Sequence, residues 1–99
     1  MIKSYIPRVA AVNDLSGFGK VSLTEAIPIM SAMGVEVCPL PTSVLSTHTY
    51  KFTDYTFLDM TEEMRRIIAH WQSLGLHFDA VYSGYMGSAE QIGIVSEYI

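Results

Sequence analysis

Three short stretches hold most of the side chains that could do chemistry. Residues 13–20 combine Asn13, Asp14 and Ser16 with Gly17 and Gly19; residues 42–49 offer Ser46, Thr47, His48 and Thr49; residues 84–87 set Tyr85 between glycines. A carboxylate, an amide and several hydroxyls among glycines suit hydrogen bonding to a small polar molecule. Turn chemistry alone could explain Asp14 and Ser16, because such side chains often bond their own backbone. Three separate polar loops argue for more. A metal site is not expected, since His48, His70, His77 and Cys38 fall in different elements without ligand spacing. Nothing beside Cys38 in sequence would lower its pKa, so it is not expected to be a nucleophile.

Two phosphate-binding patterns can be tested against the glycines. A P-loop needs Gly five positions before the Gly-Lys pair and Ser or Thr directly after it. Around Gly19-Lys20 those places hold Asp14 and Val21, so that reading fails. The dinucleotide fingerprint fits better: Gly17-x-Gly19-x-x-Ser22 nearly matches, and Glu36 lies close to the spacing of a ribose-binding acid. Ser22 in place of the third glycine and the carboxylate of Asp14 near a pyrophosphate oppose it.

The elements that must position these loops follow from hydrophobic pattern. Residues 8–12, almost wholly apolar, read as a strand buried on both faces, ending at Asn13-Asp14. Residues 22–33 read as a helix closed by Gly34, with Pro28 expected to kink it or loosen a turn. Residues 35–41 read as a strand that stops at Pro39 and Pro41. Residues 43–49 could add a short extended piece, and residues 50–58 show no clear period. Asp59-x-x-Glu62 has capping-box form, and Met64, Ile67, Ile68, Trp71 and Leu74 then mark one apolar stripe up to Gly75. Residues 79–83 read as another buried strand. Ser88-x-x-Gln91 is a second capping box, opening a helix with Ile92, Val95 and Ile99. Strands alternating with helices predict an α/β domain with a mostly parallel sheet and flanking helices. The polar stretches then follow the strands' carboxyl ends, where open sheets bind ligands.

Composition sets the outer bounds. Six Lys+Arg against ten Asp+Glu, a net charge of −4, argue against a nucleic-acid partner. No apolar run approaches the roughly 18 residues of a membrane span, and the first residues lack a secretory apolar block, so no membrane partner and a cytoplasmic address are expected. At 49% hydrophobic and only 16% charged, the chain has too few charges for the exposed surface of so small a domain. Residues 1–99 are therefore expected to form a single incomplete α/β domain, the front part of a larger one. A non-catalytic module whose open sheet pairs with a partner would look similar.

The ordered motifs carry a resemblance. Residues 13–24 (Asn-Asp-Leu-Ser-Gly-Phe-Gly-Lys-Val-Ser-Leu-Thr), then Met33-Gly34-Val35, Cys38-Pro39-Leu40-Pro41-Thr42, Leu45-Ser46-Thr47-His48-Thr49 and Ser83-Gly84-Tyr85, resemble the N-terminal region of pyridoxal/pyridoxamine kinases of the ribokinase-like superfamily. The resemblance implies a doubly wound α/β sandwich that transfers the γ-phosphoryl group of ATP, with Mg2+, to the hydroxymethyl group of a B6 vitamer. Relatives acting on hydroxymethylpyrimidine share much of this region and are the alternative. It further implies that Asp14 contacts the ring substituents, that Thr49 reaches the substrate, that Val21 and Leu45 wall the ring, and that Tyr85 lies at the mouth beside the phosphoryl-transfer region. Tyr50 stands where the family commonly has glycine, which would narrow or cover the pocket. The family's Gly-x-Gly-Asp motif, with the catalytic aspartate and anion hole, does not occur in these 99 residues. The chain alone is thus expected to bind the vitamer without catalysing, and the longer parent to be an enzyme and a homodimer.

Overall fold

A computed structural model describes residues 6–19, 21–84 and 86–98. The chain runs β1 (Arg8–Phe18), α1 (Leu23–Ala32), β2 (Glu36–Thr47), β3 (Phe57–Asp59), α2 (Thr61–Ser73), β4 (Ala80–Ser83) and α3 (Ala89–Tyr98). The sheet has the order β3-β2-β1-β4. β1 pairs in parallel with β2 and β4, and β3 is antiparallel to β2. This is the expected α/β architecture, a mixed sheet with flanking helices.

β1 is central, and Val9–Asn13 are all buried, as an apolar strand covered on both faces requires. On one face Val12 and Leu40 pack with Met64 and Ile68 of α2 and Val95 of α3. Because successive strand residues alternate faces, Asn13 looks the other way, and there it shares a cavity with Glu25, Ala26, Ile29 and Met30 of α1. The Ser88 box forms at the start of α3, whereas the expected Asp59 box does not form at α2, whose cap position is Met60 without a side-chain hydrogen bond. The Ser88 hydroxyl accepts the Gln91 N–H at 3.2 Å. Asp59 accepts from the Thr61 N–H at 3.1 Å and the Thr61 hydroxyl at 3.0 Å, so α2 starts two residues after it.

Three further expectations need correction. β1 does not end at Asn13-Asp14 but runs on to Phe18, because β2 continues beside it through Phe18↔Thr47. β2 likewise passes through Pro39 and Pro41. The Glu36 N–H donates to the Pro7 carbonyl at 2.9 Å, so alternation turns the nitrogens of Pro39 and Pro41 away from β1, toward a side where β3 has not yet begun. A register shift between Asn13 and Leu15 adds one residue to β2 and re-aims its second half. β4 is an edge rather than a buried strand: Ala80, Tyr82 and Ser83 are exposed and only Val81 turns toward the core. β3, three residues long, had no sequence signal.

Candidate functional site

β1 and β2 outrun β4, whose last partner pair is Val12↔Ser83, so their distal halves project past it as a ribbon, with the short β3 along the outer edge of β2. Against that ribbon lies a cavity of about 460 Å³ lined by Asp14, Val21, Ser22, Leu45, His48, Thr49, Tyr50, Tyr55 and Phe57. Four of the five residues singled out in the sequence thus share one cavity. The fifth, Tyr85, lies outside the described residues.

Each wall has a local cause. Asp14 sits within β1, half-buried, and its backbone N–H donates to the Asn13 side-chain oxygen at 2.9 Å. Its carboxylate turns to the next loop instead of its own backbone: the Ser22 hydroxyl donates to Asp14 Oδ1 at 2.7 Å. Val21 is held by Thr24, whose hydroxyl accepts the Val21 N–H at 3.1 Å and lies 2.7 Å from the Val21 carbonyl. Leu45 is a buried floor residue of β2, aligned with Phe57 of β3. The His48 N–H donates to the Phe18 carbonyl at 3.2 Å, which carries the chain past the end of β2. The His48 ring packs edge-on to Phe52, which in turn meets Phe18, with centroids 4.8 and 5.8 Å apart. Thr49 and Tyr50 are exposed at the rim, so Tyr50 does stand at the opening.

Other polar residues go elsewhere. Ser16 is fully buried in β1 and its hydroxyl has no partner among the described residues. Ser46 accepts the Thr56 N–H at 2.9 Å, fastening the loop before β3. Glu36 begins β2 and pairs with Arg8 at 3.1 Å, at the end of the sheet opposite Gly17 and Gly19. A ribose-binding acid cannot act from there, and the dinucleotide reading fails on geometry. Among the described residues no group of three His, Cys, Asp or Glu side chains could hold a metal ion. Ser22, Tyr55 and Phe57 were not singled out as site residues. Residues 50–58 show no period that would place Tyr55 and Phe57 on one face, and Ser22 reaches the cavity through folding alone.

The arrangement is an apolar slot of ring-sized walls with a carboxylate, hydroxyls and an imidazole at fixed places, which suits a small substituted ring. Comparison with known proteins bears on which ring. Over the whole chain the structure superposes with a TM-score of 0.92 on a protein of Bacteroides thetaiotaomicron provisionally assigned as a phosphomethylpyrimidine kinase, at 56% identity. Pyridoxal kinase from Lactobacillus plantarum matches over 96% of the chain at 37% identity and a TM-score of 0.88. The chain has the ribokinase-like fold of these kinases. It spans 34% of the length of each of these two relatives. Pyridoxal kinase from Leishmania donovani, in complex with ADP and pyridoxamine, shares the fold at 20% identity and a TM-score of 0.81. No family model matches the chain, and no curated protein matches it.

Proposed function

We propose that this chain forms the vitamer-binding part of an ATP-dependent vitamin B6 kinase, which phosphorylates the hydroxymethyl group of pyridoxal, pyridoxamine or pyridoxine. The observation that carries the reading is the convergence of Asp14, Val21, Leu45 and Thr49 on one cavity. Its volume of about 460 Å³ suits a substituted pyridine. The Bacteroides thetaiotaomicron relative, 57% identical in a second crystal form, was crystallised with pyridoxal, which supports the same ligand class. Asp14 would meet the polar ring substituents, Val21 and Leu45 would clasp the ring faces, Thr49 would hydrogen-bond it, and Tyr85 would close the mouth. Phosphoryl transfer rests on positioning and on neutralising charge at the γ-phosphate. On this reading ATP and Mg2+ would be held mostly by residues of a longer parent, a cytoplasmic homodimer. A hydroxymethylpyrimidine kinase is the second reading, favoured by the assignment of the 56% identical relative.

Titrating the protein with pyridoxal, pyridoxamine, pyridoxine and hydroxymethylpyrimidine, followed by the ring's own absorbance or fluorescence, separates these readings. Vitamer binding is expected, weakened about tenfold or more by Asp14→Ala because a hydrogen bond to a charged group is lost. In the whole protein the same substitution should impair vitamer use far more than nucleotide binding. Tighter binding and turnover of the pyrimidine would replace the first reading by the second, and binding of neither class would remove both.

A further inference from the structure

We propose that Ser22 is a positioning residue for Asp14, and that the pair makes the cavity select rings that bring a hydrogen-bond donor. The proposal rests on the vitamer-binding reading for its ligand class. Ser22 precedes α1, where a serine hydroxyl ordinarily accepts an N–H of the first turn. Here it makes no such cap. Its backbone also takes φ 56° and ψ −127°, a left-handed conformation disfavoured for any side chain other than glycine. Two local preferences are given up at one residue, and the hydroxyl instead makes the 2.7 Å hydrogen bond to Asp14 Oδ1 inside the cavity.

The backbone around the serine fixes this geometry. The Ser22 carbonyl accepts the Ala26 N–H at 2.8 Å and the Glu25 N–H at 3.2 Å, so the residue is tied into the first turn of α1. The preceding Val21 is clamped by Thr24. Asp14 is set on the other side by the β1–β2 ladder. The two backbones are thereby fixed, and what holds the side chains together is the hydroxyl–carboxylate hydrogen bond itself.

The consequence for selectivity follows from counting protons. A serine hydroxyl has one hydrogen, and a carboxylate has none. With the Ser22 hydrogen committed to Asp14, both side chains present only lone pairs to the cavity. A ring substituent that meets them must donate, as a hydroxyl or amine does, whereas an acceptor-only carbonyl finds no partner there.

Ser22→Gly tests this, because glycine tolerates the left-handed backbone and removes only the hydroxyl. Pyridoxine, pyridoxamine and pyridoxal are titrated against the full chain beside thermal melts, and three-bond NMR couplings report the Asp14 χ1 rotamer without ligand. Ser22→Gly is expected to melt at or above the wild-type temperature, to bind pyridoxine and pyridoxamine about fivefold to tenfold more weakly, and to show averaged Asp14 couplings where the wild type shows one rotamer. The wild type is expected to bind pyridoxamine and pyridoxine more tightly than pyridoxal, whose aldehyde can only accept; Asp14→Asn should erase that difference, and adding Ser22→Gly to it should cost nothing more. Unchanged binding or unchanged couplings in Ser22→Gly, a binding loss accompanied by a lower melting temperature, or additive effects in the double variant would each overturn the proposal. If the wild type binds none of these rings, the functional reading falls, and the couplings alone decide whether Ser22 positions Asp14.

Discussion

Gly19 and Gly34 both hold left-handed backbone, at φ 98° and 86°, yet they stand in different surroundings. A Cβ on Gly34 meets nothing within 4 Å. On Gly19 it would overlap the His48 ring, which lines the cavity and packs on Phe52. Gly34→Ala should therefore cost only the left-handed penalty, roughly 1–2 kcal/mol in urea unfolding, and leave ring binding unchanged. Gly19→Ala should cost more and also weaken pyridoxine binding, because His48 must leave its place against the backbone. Equal effects of the two substitutions on stability and binding would show that His48 has room to move. Asp14, Val21, Leu45 and Thr49 were legible in the sequence through ordered motifs. Ser22 was visible as a helix start and as a residue that spoiled a glycine pattern, but nothing in its neighbours announces a hydroxyl turned from its own helix toward a strand eight residues earlier.

Among the elements, the start of α3 is bound to β2, β3 and α2 by one buried amide. Gln91 is fully buried; its Nε2 lies 3.0 Å from the Thr42 carbonyl of β2 and 3.0 Å from the Thr61 hydroxyl of α2, and 3.3 Å from Asp59 Oδ1. Its Oε1 accepts the Gly87 N–H at 2.8 Å. Burial of an amide is tolerable because these partners satisfy it. Gln91→Leu keeps the bulk but removes these hydrogen bonds together, so it should destabilise the fold by about 2–4 kcal/mol in chemical unfolding, with amide exchange rising at Gly87 and the first turns of α2 and α3. A loss below about 0.5 kcal/mol would mean that water replaces the amide without penalty. The capping box revealed Gln91 as a helix-start residue, whereas its reach to β2 and α2 depends on long-range packing that no local pattern encodes. The same division holds for the strands. Apolar runs marked the proximal halves of β1 and β2, and residues 43–49 were legible as an extended piece; the distal half of β1, carrying Asp14 and Gly17, has turn-like composition and is a strand because it ladders to β2.

For the molecule as a whole, the Cα extents are 53 × 28 × 17 Å, and much of the apolar packing lies between the sheet and the α2–α3 pair. Two weak acids belong to this region. Tyr98 stacks edge-on with Phe78, 6.0 Å away, which in turn packs on Trp71 at 5.3 Å. Burial pushes the Tyr98 phenol above its ordinary pKa, and the proximity of Cys38 adds to the effect. Burial likewise pushes the Cys38 thiol up, reinforced by Glu36 and partly opposed by Arg8. Both groups hold their protons more tightly folded than unfolded. Once the pH passes the ordinary thiol range near 9, the unfolded chain releases a proton that the native state keeps, so alkali draws the equilibrium toward unfolding. These two groups contribute no slope at neutral pH; their stabilisation is complete below about pH 8.5 and is lost progressively above it, the thiol's share first and the phenol's above about pH 10. Melting temperatures followed from pH 7.5 to 10.5 should turn downward past pH 9, and Cys38→Ala should delay that downturn while leaving the later, tyrosine-linked fall in place. An unaltered profile between pH 9 and 10 in Cys38→Ala would mean that the native fold holds the thiol proton no more tightly than the unfolded chain does.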